Sequence, residues 1–488
     1  MSEEPPVGPL ERGLAVLRAL AARDADRGAL VRSTGLARAT VDRVVATLDR
    51  LGLVRADGRE VTLAPRLMEL SGAYLRGCGL PAALGPLAAR LADELDESVF
   101  VAVPDGAGAR VVLRTPRRRT VAPALRVGDL LPERGLPPGA PFPAAASRWA
   151  AGDGLLAAAV PVRDAAGRTV CAVSVLGRTG PRPPGEVPKP LRATARAMER
   201  ALAAPRAADP DPVRRADGSL ALKRELGPGF LQSLARGLAV LVALGGDRGD
   251  GLTLSEVSAA TGLARATVRR SLLTLVHLEY AHCAGQRYRL LPRVLELGCA
   301  RLSALGPAEV AQPHLARLVA RTGESASMAV LDGADIRYVA RVPTVRIMSI
   351  DITVGTRFPA YATSMGRVLL AALAPERRPP LPAGLPALTP NTVTSPAELA
   401  RILERVAANG HALVAEELEE GLHSLAVPVR GADGRVVAAL NVAQPAGRGT
   451  AAAMLLALLA PLRATAALVE ADLAALAHSG GAISAVRP

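Results

Sequence analysis

Residues 253–291 combine helical periodicity with an alternating, strand-like pattern. Thr253 and Glu256 form a capping-box pattern that predicts the start of a short helix, and Gly262 predicts the tight turn that ends it. A second helix is predicted over residues 264–277, because apolar residues recur on one of its faces: Val268, Leu272, Leu275 and Val276. Two short strands around a glycine follow. The pattern therefore predicts a winged helix-turn-helix.

The same plan occurs twice, because the chain contains a long internal repeat. GLARATV at Gly35 recurs unchanged at Gly262, and a Val-Gly pair at 127–128 recurs at 354–355 with the same spacing. Further on, AVPVR ends at Arg163 in the first copy and at Arg430 in the second, which is a longer spacing. The first copy therefore lacks a segment after its Val-Gly pair. The sequence indicates a tandem duplication with one internal deletion.

Each predicted winged helix-turn-helix, called a reader below, is followed by segments that predict a domain of mixed helices and strands. In the second copy, a helix over 308–321 precedes a hairpin turning at 332–333, a strand over 346–354 and a helix from about Thr363. An amphipathic helix closed by Gly410 and three strands complete the pattern. Helices flanking an antiparallel sheet predict an α+β sensor of the PAS or GAF kind, which holds a small ligand between sheet and loops.

The expected fold class is α+β, with two winged helix-turn-helix domains, each followed by a GAF/PAS-like α/β effector domain. We expect the first effector domain to be truncated and to have lost ligand binding, because a Pro/Gly-rich stretch replaces the counterpart of residues 360–415. The expected segments are a reader at 1–76, a truncated effector domain at 77–203, a linker at 204–229, a second reader at 230–302 and an effector-binding domain at 303–478.

The charge distribution supports two modules that contact nucleic acid. The chain of 488 residues has a net charge of +14, and nearly all of its positive charge is arginine. Residues 10–76 and 231–301 each carry a net charge of +4, whereas residues 307–476 are neutral. The two reader segments are therefore the ones expected to contact phosphate.

Recognition of DNA is assigned to the N-terminal ends of the two predicted recognition helices, whose side chains reach base edges in the major groove. The expected DNA-binding residues are Arg265, Thr267, Arg269 and Arg270 in the second copy, and Arg38, Thr40 and Arg43 in the first. Asp42 stands where the second copy has Arg269, and a carboxylate repels phosphate unless it accepts from a cytosine amino group. The first reader is therefore predicted to bind DNA less tightly or to read a different half-site.

Other features exclude several classes of protein. Four widely spaced cysteines form no CxxC pair, which argues against a disulfide framework or a structural zinc site. The N-terminal segment does not resemble a signal peptide, and the longest apolar run, 450–461, is shorter than the roughly 20 residues of a membrane span. No nucleophile or phosphate-loop motif is present. We expect no enzyme activity, metal or cofactor, no membrane association and a cytoplasmic location.

The second copy closely resembles the IclR family of bacterial regulators from about Phe230 to Leu476. The resemblance rests on these segments: LTLSEVSAATGLARATVRRSLLTL, YRLLPRVLELG, VGTRFPAYATSMGRVLLA, EELEEGLHSLAVPVR and DGRVVAALNV. The YATSMGR form is most similar to members that govern aromatic-acid and β-ketoadipate catabolism. The first copy follows the same family pattern, although family members usually carry one reader and one sensor per chain.

The resemblance implies a pocket for a small carboxylate in the second sensor. Ala362, Thr363 and Ser364 would place backbone N–H groups and hydroxyls at a helix N-terminus, where an anion is stabilised, and Tyr361 could flank an aromatic ring. The resemblance adds residues of the following loop and strands: Glu417, Glu419, His423, Ser424 and Asn441. Asn441 stands out because a buried amide inside an apolar strand needs hydrogen-bond partners.

These observations predict a transcription regulator that binds an operator in double-stranded DNA and responds to an aromatic acid or a β-ketoadipate-like carboxylate. Whether it represses or activates, and whether the chain forms a homodimer through its apolar C-terminal helix, stay open. An alternative also stays open, in which weakened DNA binding leaves a small-molecule sensor that acts through a protein partner. Asp42 supports that alternative for the first reader only.

Overall fold

The computed structural model describes residues 7–106, 108–117, 125–132, 147–150, 155–178, 188–204, 219–247, 249–344, 352–381 and 384–477. Their contacts divide the chain into two compact units, one ending at Ala304 and the other beginning at Leu305. The first unit holds both readers and the first sensor, and the second unit holds the second sensor. The fold is of the expected α+β class.

The first reader consists of three helices and a three-stranded sheet. Its elements are α1 (Gly8–Ala22), β1 (Ala25–Asp26), α2 (Arg27–Thr34), α3 (Arg38–Arg50), β2 (Val54–Asp57) and β3 (Glu60–Leu63). The sheet order is β1-β3-β2, so β2 and β3 form the wing. The side chain of Asp26 caps α2 by accepting a hydrogen bond from the Ala29 N–H, 2.6 Å away. This cap stabilises a helix that carries a glycine, Gly28, in its first turn.

The first sensor is built around a six-stranded antiparallel sheet. A helix, α4 (Met68–Cys78), leads into it from the first reader, and its elements are α5 (Leu80–Leu95), β4 (Ser98–Asp105), β5 (Gly108–Thr115), β6 (Leu130–Pro132), β7 (Ser147–Ala150), β8 (Leu155–Arg163), β9 (Thr169–Arg178) and α6 (Lys189–Ala203). The sheet order is β6-β5-β4-β9-β8-β7. The Pro/Gly-rich stretch that replaces the segment missing from this copy lies largely outside the described residues.

The second reader repeats the plan of the first. It is preceded by α7 (Ser219–Leu226), a helix within the segment expected to be a linker, and it comprises α8 (Gln232–Ala243), β10 (Leu252–Thr253), α9 (Leu254–Thr261), α10 (Arg265–His277), β11 (Ala281–Ala284), β12 (Arg287–Leu290) and α11 (Cys299–Leu302). The expected capping box is present, since Thr253 accepts from the Glu256 N–H and Glu256 accepts from the Thr253 N–H. Gly262 ends α9 in the left-handed conformation, with a φ of 67°.

The second sensor has the same sheet order as the first. Its elements are α12 (Pro307–Thr322), β13 (Ser325–Asp332), β14 (Asp335–Val342), β15 (Arg357–Pro359), α13 (Ser364–Ala371), α14 (Pro396–Asn409), β16 (Ala412–Ala415), β17 (Leu422–Arg430), β18 (Val436–Pro445) and α15 (Ala451–Ala477). The order β15-β14-β13-β18-β17-β16 matches β6-β5-β4-β9-β8-β7 strand for strand. Helices α13 and α14 bury a core against one sheet face, and α12 and α15 pack together on the sheet.

Helix α15 is longer than the apolar run at 450–461, because it continues through Pro461 to Ala477. Among the described residues it is the one helix long and apolar enough to cross a membrane by length and composition alone. One face of the helix packs in the second sensor: His314 and Asp472 are 2.7 Å apart, and Glu470 accepts from the Arg430 N–H at 2.7 Å. Its buried face is mostly apolar, with one threonine: Met454, Leu458, Leu462, Thr465, Ala466, Val469, Leu473 and Leu476.

Two local expectations differ from the structure. The hairpin turn expected at 332–333 lies one residue later, since Asp332 pairs with Asp335 inside the strands, and the β2–β3 hairpin is built the same way, with Asp57 paired to Glu60. The glycine therefore takes the first loop position with positive φ, and the preceding aspartate stays in the strand. The strand expected over 346–354 falls mostly outside the described residues, and 352–354 form no strand.

Candidate functional site

The second recognition helix, α10, presents its arginines to solvent. Arg265, Arg269 and Arg270 are exposed, whereas Thr267 is half-buried. The opposite face is held in the core by Val268, Leu272 and Leu275, which are fully buried. The helix begins after Ala264, which makes no side-chain cap, so its first N–H groups are available to an anion such as a DNA phosphate.

The first recognition helix, α3, carries the expected cations but also an ion pair. Arg38 and Arg43 are exposed, and Thr40 is half-buried. Asp42 lies 3.2 Å from the Arg27 Nε and 3.9 Å from the Arg38 Nε. Sequence reasoning singled out Asp42 but missed Arg27. Arg27 is the first residue of α2, so the rest of that helix and the turn into α3 separate it from Asp42 in the sequence.

Arg27 also ties the recognition helix to the wing. Its Nη1 donates a hydrogen bond to the Gly58 carbonyl oxygen, 2.7 Å away, at the tip of the β2–β3 hairpin. The second reader anchors its wing differently, since Arg287 of β12 donates to the Gly251 carbonyl oxygen at 2.7 Å. The two readers therefore share a fold but use different charged residues to hold the wing in place.

The two readers pack against each other inside the first unit through α1 and α8. Gly13 of α1 lies against Leu234, and a Cβ built on Gly13 would be 2.3 Å from a Leu234 methyl carbon. Gly237 of α8 lies against Leu10 in the same way, at 2.5 Å. Leu10 and Gly13 open the repeated segment as LERG, and Leu234 and Gly237 open its second copy as LARG. Each contact is therefore made twice by equivalent residues.

Two hydrogen bonds repeat this symmetry. The Val7 N–H donates to the Thr274 hydroxyl at 2.9 Å, and the Leu231 N–H donates to the Thr47 hydroxyl at 3.0 Å. Each bond joins the start of one reader to the recognition helix of the other. The pair therefore has the self-complementary arrangement of a two-fold dimer, formed here within one chain.

The second sensor contains a cavity of about 100 Å³ between the sheet, the start of α13 and the loop before β17. Six of the expected effector residues line it: Ala362, Thr363, Ser364, Glu419, Ser424 and Asn441. Tyr338, Ile352 and Phe358 supply apolar surface, so the cavity suits a ligand that is partly hydrophobic.

A chain of polar groups crosses the cavity wall. The Ser364 and Ser424 hydroxyl oxygens are 2.7 Å apart, and Asn441 Nδ2 donates to the Ser424 hydroxyl at 2.9 Å. Asn441 is buried, and its Oδ1 has no hydrogen-bond partner among the described residues. Thr363 caps α13 by accepting from the Gly366 N–H at 3.1 Å. Within the same described ranges, the backbone N–H groups of Ser364 and Met365 have no partner.

Three expected effector residues lie away from the cavity lining. Tyr361 is buried and its hydroxyl donates to the Pro386 carbonyl oxygen at 2.6 Å, so it does not flank the cavity. His423 is buried on β17, and its Nδ1 has no partner in the described part of the chain. Glu417 faces Arg367 instead of the cavity. The sequence could not separate these residues because only the tertiary fold fixes which of them the cavity reaches.

Arg367 and Glu417 form a buried ion pair beside the cavity. Arg367 Nη1 donates to Glu417 Oε1 at 2.8 Å, and a second bond joins Nη2 to Oε2. Arg367 Nε donates to the Tyr361 carbonyl oxygen, and Glu417 accepts from the Val393 N–H. The pair therefore fixes the loop before β17 against the start of α13.

Sequence reasoning missed several polar residues of the cavity. Arg341 of β14 lines it, and burial lowers the pKa of its guanidinium. Ser325 and Thr344 also line it, with their hydroxyl oxygens 3.0 Å apart, and so does Gln444. Ser325 and Arg341 belong to β13 and β14. Alternation along these strands could have identified the face that they share, because successive side chains point to opposite faces.

Two family models match the chain in three places. The model of the IclR helix-turn-helix domain matches residues 9–58 and again 233–282. The model of the bacterial transcriptional regulator IclR C-terminal domain matches residues 299–471. The repeated match agrees with the internal duplication.

Two relatives belong to the same group of regulators, and one solved structure is similar to the chain. The Pca regulon regulatory protein of Pseudomonas putida is 48% identical over 226 residues, which cover 46% of this chain and 77% of the relative. The p-hydroxybenzoate hydroxylase transcriptional activator of Acinetobacter baylyi is 37% identical over 221 residues, 43% of this chain and 80% of the relative. A solved transcriptional regulator from Rhodococcus sp. RHA1 is 48% identical and covers 50% of this chain and 99% of its own, with a TM-score of 0.47.

The two family models, the relative from Pseudomonas putida and the duplicated readers lead to one assignment. The chain belongs to the IclR family of bacterial transcriptional regulators, not to a family of enzymes, and it carries the family's DNA-reading domain twice.

Proposed function

We propose that one chain binds an operator in double-stranded DNA with both readers and that a small carboxylate in the second sensor controls this binding in the cytoplasm. The observation that carries the proposal is the symmetric packing of α1 on α8. It places two arginine-bearing recognition helices in the arrangement of a dimer, and dimeric readers engage half-sites about one DNA turn apart or a multiple of that. In this proposal the chain has a reader at 1–76, a truncated sensor at 77–203, a second reader at 230–302 and a complete sensor at 303–478.

The proposed effector is an aromatic acid or a β-ketoadipate-like carboxylate. Its carboxylate would accept hydrogen bonds from the Ser364 hydroxyl and from the unpaired N–H groups at the start of α13, where the helix dipole favours an anion. Arg341 supports the same proposal, because it brings a cationic group to the cavity wall. Glu419 and Asn441 would contact the remainder of the ligand. His423, Glu417 and Tyr361 would act through neighbouring residues.

A footprint of the full chain tests the DNA part of the proposal. We expect two protected half-sites, and we expect the Arg269→Ala, Arg270→Ala variant to lose protection of one of them. Arg435→Ala is the matched control, since this arginine is highly exposed in the second sensor. Protection of a single half-site by the wild-type chain would contradict the proposal. Protection of both half-sites by the variant would contradict the placement of the recognition helix, whereas no protection by the wild-type chain would favour a sensor that acts through a protein partner.

Calorimetric titration tests the effector part. Protocatechuate, 4-hydroxybenzoate and β-ketoadipate are titrated into the full chain, and we expect one of them to saturate one site per chain. Ser364→Ala and Asn441→Ala should each weaken binding, whereas Ser395→Ala at the N-cap of α14 should not. Effector control then requires that the effector binds the DNA-bound and the DNA-free protein with different affinities. A second titration with the operator present measures this difference. Saturation by none of the three acids would exclude these effectors.

A further inference from the structure

The two recognition helices carry opposite charges at one equivalent position, and the structure shows how the negative one is accommodated. Asp42 on α3 and Arg269 on α10 occupy the same place after the repeated GLARATV segment, each directly following its valine. Asp42 is followed by Arg43, just as Arg269 is followed by Arg270. The difference therefore lies at one site on an otherwise equivalent surface.

Arg27 compensates the charge of Asp42. Its Nε is 3.2 Å from Asp42 Oδ1, and its side chain is also fixed by the hydrogen bond to the Gly58 carbonyl oxygen. The counterpart of Arg27 in the second reader is Leu254, which has no charge. Both positions therefore differ between the two readers: the first reader pairs Arg27 with Asp42, and the second has Leu254 and Arg269 at the equivalent places. Because Arg27 and Arg38 flank the carboxylate, its repulsion of DNA phosphate is largely offset.

The carboxylate also keeps free acceptor capacity. The Asp42 side chain is 44% exposed, and an ionised carboxylate has about four lone-pair sites, of which these two arginines occupy only some. It can only accept hydrogen bonds. In the major groove the cytosine N4 amino group is the donor that Asp and Glu bind, whereas Arg binds the O6 and N7 acceptors of guanine. Asp42 and Arg269 therefore require opposite hydrogen-bonding patterns from DNA.

We infer that Asp42, positioned by Arg27, makes the first reader select cytosine where the second reader selects guanine through Arg269. This inference rests on the proposed binding of one operator by both readers. It predicts an operator whose half-sites are related by two-fold symmetry except at this one base pair. A homodimer with identical recognition helices would have no reason to prefer such a site.

The test is selection of bound sequences from a fully randomised duplex library with the wild-type full chain. Affinities for single-base changes in the selected operator are then measured. We expect replacement of cytosine by guanine at the Asp42 position to weaken binding by about 5- to 150-fold. The double variant Arg27→Leu, Asp42→Arg carries the residue pair of the second reader. It should prefer guanine in both half-sites, while the preference at the Arg269 position stays unchanged as an internal control.

Two further variants separate recognition by Asp42 from positioning by Arg27. Asp42→Asn should shift the preference at this position toward adenine, since an amide binds the adenine N6 and N7 pair. Arg27→Leu should relax the cytosine preference, and Arg27→Lys should restore part of it by keeping the charge beside Asp42. A merely structural role of Arg27 would lower the affinity for all sequences equally and would leave the base preference intact.

The results distinguish this inference from the proposed function. If the wild-type chain selects a fully symmetric operator, or if the double variant keeps the wild-type base preference, the assignment of Asp42 is wrong while two-reader binding stands. If the wild-type chain enriches no sequence from the library, the proposed function fails as well. Thermal melting by circular dichroism shows that each variant is folded before its sequence preference is scored.

Discussion

We expect Arg367→Met to destabilise the start of α13 and the loop before β17, which border the cavity of the second sensor, far more than the small change in side-chain volume suggests. The Arg367 side chain is 3% exposed and that of Glu417 is 12% exposed, so the variant would leave a carboxylate buried without its countercharge. Removing one partner of such a pair costs about 3–5 kcal/mol. In the double variant Arg367→Met, Glu417→Met no charge is left behind, and the expected loss is much smaller, because replacing a whole buried pair by apolar side chains is often neutral.

Hydrogen exchange of the full chain measures this difference locally. Exchange is the appropriate observable because a chain with two compact units has no single free energy of unfolding. A loss of about 3–5 kcal/mol accelerates exchange in α13 by between about two and four powers of ten. Arg435→Met is the control: its pair with Asp433 is formed by side chains that are 79% and 60% exposed, so the change should be about 0.5 kcal/mol or less.

The coupling between the two substitutions decides whether the reasoning is correct. If the double variant loses as much protection as Arg367→Met and Glu417→Met combined, the residues act independently and the ion pair does not hold the loop before β17. If Arg367→Met alone leaves the exchange of α13 unchanged, burial of the carboxylate is not costly here. Either result would refute the argument from the buried charge.

Three other substitutions test the packing and capping of the fold. Gly366→Ala places a Cβ 2.1 Å from the Ala360 carbonyl oxygen, so a net loss of about 1–2 kcal/mol in α13 protection is expected, whereas Gly85→Ala in the open part of α5 should stabilise its helix. Leu234→Ala should cost about 2–5 kcal/mol and speed exchange in both α1 and α8, because this fully buried side chain packs against the other reader. Exchange confined to α8 would contradict that contact. The hydrogen bonds from Thr253 hold the pKa of Glu256 below its ordinary 4.5, so the protection of α9 should be complete above about pH 4.5 and fall at lower pH. Glu256→Gln should abolish that dependence, and an unchanged pH profile would show that the capping box contributes little.

Local chemistry made much of the fold predictable. The capping box at Thr253, the left-handed Gly262 and the apolar face of α10 each depend on residues close in the sequence, and the structure contains all three. The turn expected at 332–333 was misplaced by one residue because the Asp-Gly pair was assigned to the loop as a unit. In both hairpins the aspartate pairs across the strands, and only the glycine adopts positive φ.

The cavity was less predictable, because its lining depends on which strands become neighbours. Ser424 and Asn441 lie in strands that the family resemblance singled out, and both line the cavity. Arg341 was not identified, since its strand precedes the family motif and nothing nearby in the sequence distinguishes it from other surface arginines. The contact of α1 with α8 was also missed. Its only signal in the sequence was a pair of glycines, Gly13 and Gly237, at equivalent places in two helices. Their role as a contact between helices is evident only once the helices are packed together.

The contact between α1 and α8 has a consequence for how the two readers can evolve as well as for how they assemble. In a homodimer every mutation of the reader appears twice, on both sides of the axis, so the two halves cannot diverge. Here the two halves are encoded separately and joined by one polypeptide, so each can change alone while its partner stays at a fixed stoichiometry. Their association is also independent of the protein's concentration. A cell with very few copies of the regulator would still have every reader paired.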